Sequence, residues 1–482
     1  MTQLYDVFQQ RMNPPCPLPP EFNRLTHCLN QLMARCIPAC TTDSTSEQFF
    51  NRDFNAAEIE RAKAHIHHHR SDSSAGNYAI HYSKIVQMDN DLLLQLVNKC
   101  IHSGDMPTSW TITTVVGIVK RGKDRNDPNS YRTIGPESCL LQFMTLLLLF
   151  RFQQWATAAN ILPEFQNAFH AGYRTNNNVF VLRTMIEKAY ATGHTLYVIA
   201  ADLSNAFPST DRATLWLKMC RLGISGKIFD WLHLLYGQMR YLVHHASSES
   251  KLFESLIGIL IGDTLSPNVW NLYLSDFNLP MSSDDVVLFN SPVLHMEQAD
   301  DIILVSTSSQ RTQGLLNSLV DWCKYNFILT NVFKTEAILF GKSPHTIPIF
   351  TIHGTKVKST KMLKYVGVHL ANSPSNIMQE HYVQKAIKAE STAHAVLHVE
   401  SMVQGLPLWQ GKILYMGCVD PHLTHACKCS PDATLASLAK LEAIQRSFIR
   451  RLLCLHNRSM IASLFTEMGL QPLRTRCLVL TL

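Results

Sequence analysis

Apolar residues recur at helical spacing between residues 53 and 100. There "DNDLLLQLVNKCIHSG" (89–104) supplies an aspartate cap signal, an apolar face and a glycine stop. "TITTVVGIVKRGKD" (111–124) reads as a strand running into a basic, glycine-containing loop. Residues 137–160 predict a long apolar helix, and "NNNVFVLRTMIEKAYAT" (176–192) a second one capped by its asparagines. "HTLYVIAAD" (194–202) is a buried strand that ends on Asp202. The loop "LSNAFPST" follows, then an amphipathic helix from about Asp211 with Leu215, Met219 and Leu222 on one face. Beyond residue 250 the pattern gives a loop and helix, a hairpin near residue 300, a helix over 309–327 and a short strand "EAILFG" (336–341). A hairpin region spans 347–370, and from 376 onward the pattern is helical and increasingly basic. The middle is therefore α+β and the last third α. Residues 1–50, rich in Pro, Thr, Cys and Asn, are expected to be loosely ordered.

A chain of 482 residues can bury more than one core, so two or three domains are expected. The longest apolar run, Leu140–Phe150, is too short to cross a bilayer and reads as a buried helix. The start, "MTQLYDVFQQ", has no secretory pattern, so an intracellular location with reduced thiols is expected. The 13 cysteines form no CxxC pair, and Cys427 and Cys429 make a lone CxC that argues against zinc. The net charge of +6 is unevenly placed. Residues 118–132 and 440–482 carry basic clusters of the kind that suits a polyanion such as nucleic acid. The histidine run "HIHHHR" (65–70) lacks acidic or cysteine company and reads as an exposed helix surface.

The stretch "QADDIILVST" (298–307) sets two aspartates at the mouth of an apolar strand. Adjacent like charges sit either in solvent or on a cation. The first reading is a solvated turn. The second is a divalent-metal site, which needs a further carboxylate, and Asp202 at its strand end is the candidate. Three carboxylates on neighbouring strands could hold two Mg²⁺ ions, as in nucleotidyl transfer.

From about residue 112 to 370 the sequence resembles the reverse transcriptase domain of non-LTR (LINE-type) retrotransposons. "IVKRGKDRNDPNSYRTIG" (118–135) is similar to the fingers motif, where Lys120 and Arg132 would meet the incoming triphosphate. "QNAFHAGYRTNNN" (166–178) resembles the segment that touches the template, through Gln166 and Arg174. "ADLSNAFPSTDR" (201–212) resembles motif A, with Asp202 as metal ligand and Phe207 at the steric gate against a 2′-hydroxyl. "GILIGDTLSPNVWNLYL" (258–274) resembles motif B, where Gly262, one of the nucleotide-binding positions, would let the backbone approach the template–primer closely. "QADD" resembles motif C, "NVFKTEAILFG" (331–341) motif D with Lys334 as a proton source for pyrophosphate, and "KYVGVHL" (364–370) the primer grip with Tyr365 and Gly367. Seven pieces occur in the family's order.

The resemblance implies a right-hand polymerase fold of class α+β, with an antiparallel palm sheet and a helical C-terminal region. It implies RNA-directed DNA synthesis with Asp202, Asp300, Asp301 and Lys334 in catalysis. Mg²⁺, or Mn²⁺ in its place, would be the cofactor; RNA template, DNA primer and dNTPs the partners; the nucleus the site of action. The expected division is an N-terminal extension to residue 104, fingers 105–198, palm 199–345, a primer-grip hairpin 346–375 and a helical thumb 376–482. Several positions depart from the family pattern. Gln298 stands where motif C has an aromatic, Leu260 and Ile261 where motif B has Pro and Gln, and Thr133, Ala168 and His170 where Pro, Gly and Arg are usual. An ending on "RCLVLTL" and the lack of an endonuclease motif in residues 1–110 suggest a truncated copy. Two other readings stay open. One is a decayed remnant that binds nucleic acid without incorporating nucleotides, the other an interaction protein on an inherited polymerase fold. An RNA-dependent RNA polymerase shares the aspartates, but Phe207 speaks against it.

Overall fold

A computed structural model describes residues 2–12, 48–69, 80–120, 122–170, 172–245, 248–373, 376–403, 405–430 and 433–481. Along the chain run α1 (Thr2–Met12), α2 (Ala56–His69), α3 (Asn90–Ser103), β1 (Ile112–Val119), β2 (Tyr131–Ile134) and α4 (Cys139–Ala158). Next come α5 (Thr175–Thr192), β3 (Thr195–Ser204), α6 (Arg212–Arg221), β4 (Arg240–His245), α7 (Ser266–Leu274), β5 (His295–Gln298) and β6 (Asp301–Ser306). Then follow α8 (Ser309–Tyr325), β7 (Leu329–Thr330), β8 (Glu336–Gly341), β9 (Lys358–Ser359), β10 (Met362–Tyr365) and β11 (Val368–Ala371). The C-terminal third holds α9 (Gln379–Val403), α10 (Leu435–Leu452) and α11 (Leu473–Thr481). No helix among the described residues is long and apolar enough to cross a membrane.

Two compact units are interleaved in sequence. The first takes Met1–Phe169, Asp202–Leu279 and Asn317–Asn331; the second takes His170–Ala201, Pro280–Leu316 and Val332–Leu482.

In the first unit α3 begins and ends as its sequence dictates. Asp89 accepts from the backbone N–H groups of Asp91 and Leu92, and Gly104 closes the helix at φ 58°. A sheet of order β2-β1-β4 pairs β1 antiparallel to β2 and parallel to β4. The apolar helix α4 is buried along most of its length, including Phe143, Leu147, Phe152 and Trp155. Its one internal cation, Arg151, is 1% exposed and fully paired. Nε and Nη2 meet the Glu58 carboxylate at 2.8 and 3.0 Å, and the carbonyls of Phe49, Arg52 and Asp53 accept at 3.2, 2.7 and 2.8 Å. This network fastens the 49–58 segment to α4. On α2, His67, His68 and His69 are exposed, as the sequence implied.

The expectation of loose order in residues 1–50 needs correction at its start. Helix α1 buries Phe8 and Met12, and Phe8 lies against Gly117 of β1, where a Cβ would come within 2.8 Å of its ring. Residues 13–47 lie outside the described residues.

In the second unit β3 is central in the order β9-β8-β3-β6-β5. The expected antiparallel sheet is corrected to a mixed one. β8 with β3 and β5 with β6 are antiparallel, but β9 joins β8 in parallel. α5 lays Val179, Leu182, Met185 and Ile186 on Val198, Ile303 and Ile338 of the sheet core, which continues into the β10–β11 hairpin, α9 and α10. The asparagine caps are also corrected. Arg174 holds the N-cap position of α5 without a side-chain cap, and Asn178 is buried inside the helix.

Removing Arg151 would leave Glu58 half-buried with its main partner gone, together with three unserved carbonyls. Arg151→Ala is expected to destabilise the protein by about 3–5 kcal/mol, read from urea unfolding; a loss below about 1 kcal/mol would refute the structural role given to this network.

Candidate active site

The paired aspartates stand at a tight hairpin in the second unit. Gln298 and Asp301 face each other across β5 and β6, leaving Ala299 and Asp300 as a two-residue loop. Ala299 takes φ 59°, the positive value that primed hairpin turns require at their first position. Strand alternation therefore does not govern the pair, because Asp300 belongs to the turn and Asp301 opens the strand. Both are exposed, whereas Ile302–Ser306 are buried.

Behind this tip, Asn178 of α5 donates to the Glu297 carbonyl at 2.9 Å and to the Tyr365 hydroxyl at 3.0 Å. One buried amide thus ties the hairpin to the β10–β11 turn. Burial holds the Tyr365 phenol well above its usual value, and the Asp301 and Glu297 charges push the same way. Glu297 itself is fully buried and meets His295 Nε2 at 3.0 Å. Neither Asn178 nor Glu297 was signalled by the sequence. The turn after Tyr365 places Val366 at φ 40° and Gly367 at φ 86°, a two-residue loop between Tyr365 and Val368 that accounts for the glycine. Arg174 and Lys334 are exposed.

The first unit carries the other predicted residues. Asp202 is half-buried near the end of β3, where its carbonyl accepts from Asn331 N at 2.8 Å. Phe207 is half-buried with its ring 5.6 Å from Trp270. Its carbonyl accepts from Ile259 N, and the Thr210 carbonyl accepts from Gly258 N, so motifs A and B form one bonded loop pair. Gly262 has φ 96°, and a Cβ there would lie 2.0 Å from the Gly135 carbonyl. The close approach this glycine permits is thus to the loop after β2. Lys120 and Arg132 share a face of the β1–β2 ribbon: Arg132 lies opposite Ile118, and Lys120, two residues on, is bonded through its N–H to Ser130. Gln166 is 1% exposed, and its Oε1 accepts from Ala168 N, so its side chain serves its own loop.

Under the Gly262 loop lie two buried carboxyls. Asp263 accepts from Leu265 N and Ser266 N, both at 3.0 Å, at the entry to α7. Glu137 is 1% exposed, and among the described residues neither of its oxygens has a hydrogen-bond partner. Burial, and then the nearby Asp263, push Glu137 well above the usual 4.5. Burial likewise raises Asp263, against its hydrogen bonds. Asp202 in the first unit and Asp300 and Asp301 in the second each present carboxylate oxygens, donors of the kind a hard cation prefers. Among the described residues no group of three or more His, Cys, Asp or Glu is gathered to hold a metal ion.

Two measurements follow from these contacts. Because the folded Glu137 carboxyl binds its proton more tightly than the unfolded one, its contribution is intact below about pH 4.5 and is lost as pH rises through the raised folded value. Between those two values wild-type stability should thus fall relative to Glu137→Gln by up to about 1.4 kcal/mol per pH unit; parallel pH–stability curves would sink this reading. Asn178→Ala leaves the Tyr365 hydroxyl buried without its donor and should cost about 1–3 kcal/mol. Adding Tyr365→Phe to it should recover part of that loss, and strictly additive losses would contradict the link.

A family model described as "Reverse transcriptase (RNA-dependent DNA polymerase)" matches residues 118–370. Relatives include "Probable RNA-directed DNA polymerase from transposon BS" of Drosophila melanogaster, 26% identical over 287 residues, covering 58% of this chain and 31% of that one. The "RNA-directed DNA polymerase from mobile element jockey" of the same fly is 22% identical over 371 residues, covering 75% of this chain and 39% of that one. The chain thus spans well under half the length of these relatives. Among solved structures, apo telomerase from Candida tropicalis is similar with a TM-score of 0.43 at 11% identity, over 81% of this chain and 70% of that one. The chain belongs to the reverse transcriptase (RNA-dependent DNA polymerase) family, and its relatives are transposon-borne polymerases, as the LINE-type resemblance implied.

Proposed function

We propose that this chain extends a DNA primer with dNTPs on an RNA template, as the polymerase of a non-LTR retrotransposon. The observation that carries this is the family match over residues 118–370, which takes in the strand-end Asp202 and the hairpin-tip Asp300 and Asp301. In this reading the fingers contain β1 and β2, the palm contains β3, β5, β6 and β8, and the helical C-terminal third is the thumb.

Asp202, Asp300 and Asp301 would hold the divalent cations, Mg²⁺ or Mn²⁺. Such ions, when bound, acidify the primer 3′-hydroxyl and relieve charge on the triphosphate. The chain's own groups do the rest. Lys120 and Arg132, on one face of their ribbon, bind the triphosphate, Arg132 through its planar fork. Phe207, with its ring braced by Trp270, stands under the sugar and excludes a 2′-hydroxyl. Gly262 fixes the motif B loop at the incoming nucleotide. Lys334, exposed beyond β7, delivers a proton to the departing pyrophosphate. Arg174 contacts template phosphates from the surface, while buried Gln166 shapes the loop before it. Tyr365 and Gly367 set the turn on which the primer rests, and Asn178 positions Tyr365.

Leu260 and Ile261, in place of the usual motif B Pro and Gln, favour a second reading in which binding persists without incorporation. Primer extension on poly(rA)·oligo(dT) with dTTP and Mg²⁺ separates the two. Wild type should extend, and Asp300→Ala should lose at least about a hundredfold in rate, as for removal of a charge-stabilising group. Folded wild-type protein that binds the hybrid but does not extend it would decide for the remnant.

A further inference from the structure

In the second unit the CxC of the sequence meets the helix α11. Cys427 and Cys429 lie on a tight turn, entered through Ala426 at φ 60°. Its backbone is fixed from within: Cys427 N donates to the Thr424 carbonyl at 3.2 Å, Cys429 N to that of Ala426 at 2.9 Å and Ser430 N to that of Cys427 at 3.1 Å. α11 packs on this turn. The Thr481 hydroxyl lies 3.4 Å from the Cys427 carbonyl and 2.8 Å from the carbonyl of Cys477, one helical turn back. Side chains at i and i+4 share a helix face, so Cys477 is presented to the same turn as Thr481. There its thiol and that of Cys427 hydrogen-bond to each other.

The three thiols differ in what they can do. Cys429 is fully buried, its thiol donates to the Asn176 carbonyl at 3.3 Å, and burial pushes it up to about 11. Such a thiol is inert. The hydrogen bond from Cys477 holds the Cys427 thiol below its usual value, against burial, and the Lys428 N–H and ammonium help. Cys477 is half-buried, and the same bond, then burial and the Cys427 and Asp420 charges, push its thiol up. Cys427 therefore gives a thiolate readily while Cys477 keeps its proton. A nucleophilic thiol touching a second one that can resolve it is the arrangement of a redox-responsive pair.

We propose that Cys427 and Cys477 are a peroxide-responsive thiol pair that closes to a disulfide, fastening α11 to the turn that holds α5. The Cys427 thiolate attacks one oxygen of hydrogen peroxide, and the O–O bond breaks. Cys427 becomes a sulfenic acid, while the other oxygen leaves as hydroxide and takes up a proton to become water. The Cys477 sulfur then attacks the Cys427 sulfur. The S–O bond breaks, and the hydroxyl departs with the Cys477 proton as a second water. Two thiols are oxidised to one disulfide, and the peroxide is reduced to two waters. The same turn carries Cys429, whose carbonyl accepts from Arg183 and whose thiol bonds Asn176, both on α5. Oxidation thus ties α11, through the turn, to the helix whose Asn178 holds Glu297 and Tyr365. A bridge between positions about 50 residues apart also restricts the unfolded chain. The pair needs neither nucleic acid nor metal and stands apart from the polymerase reading.

Peptide mapping by mass spectrometry tests this on the folded full chain, treated with an equimolar amount of hydrogen peroxide and then alkylated. The expected product is a peptide pair joined between Cys427 and Cys477, lighter by two hydrogen atoms and separated again by dithiothreitol. The oxidised chain should also melt a few degrees above the reduced one. Cys477→Ser should form no bridge and leave a Cys427 sulfenic acid that dimedone labels; Cys427→Ser should give neither product. The wild-type map needs no variant, so poor folding of either serine variant leaves the test intact. Absence of the bridge from peroxide-treated wild type would overturn the proposal, as would a bridge from Cys427 to Cys429, or oxidation confined to the exposed Cys418 and Cys454. A Cys427–Cys477 yield no greater in the folded chain than in urea would overturn it too, because chance encounter would then account for the bond.

Discussion

Strand β3 is apolar and buried on both sides from Leu196 to Ile199, and that constraint orders much of what surrounds it. A doubly buried strand has no water to satisfy its backbone, so each N–H and C=O must find a protein partner. β8 supplies them on one side over the full register from Gly341↔Thr195 to Glu336↔Ala200, and β6 runs along the other. Where β8 ends, β7 takes over at Leu203 and Ser204, and Asn331 N caps the Asp202 carbonyl. Asp202 therefore sits on backbone whose position is dictated by pairing, while its side chain is left half-buried. Rigid backbone under a partly open carboxylate is what a metal ligand needs.

The hairpin tip solves the opposite problem, holding two like charges in place without burying them. Asp300 and Asp301 stay exposed, so their repulsion is screened by solvent. Their position is set from beneath, by the buried segment Ile302–Ser306 and by the Asn178 bond to Glu297. The same amide reaches Tyr365, a coupling that ties the β10–β11 turn to the hairpin through one side chain. That coupling is worth more than an exposed hydrogen bond, because all its members are buried and none can turn to water.

Features governed by local chemistry were legible in the sequence. The Asp89 cap and Gly104 stop of α3, the strand "EAILFG", the span of α4 and the Asp-Asp hairpin lie where their patterns put them. What escaped depends on contacts distant in sequence. Three asparagines at the start of α5 look like caps, but Asn178 is one turn in and its partners are about 119 and 187 residues away. The order of α1 depends on a space left by Gly117, which no pattern within residues 1–12 can reveal. Two-residue β9 is too short to carry a period, so its parallel pairing was invisible. The interleaving of the two units has the same origin, since compactness is decided by which distant segments share a core. Of the candidate site, the residue types and their strand or turn settings were readable. The buried supports, Asn178, Glu297 and Glu137, were not, because a polar residue inside a protein carries no mark in its own neighbourhood.

Burial also decides which charges the chain can use. Glu137 and Asp263 are driven toward their neutral forms, as are His381 and His425, each by loss of water before any neighbour is counted. Asp300 and Asp301 at the hairpin tip, Arg132 on its ribbon, and Lys364 and Lys388 beside the β10–β11 turn are exposed instead. Lys385 stands between the two regimes, its ammonium lowered to about 8, chiefly by burial and then by Lys388 and Lys364.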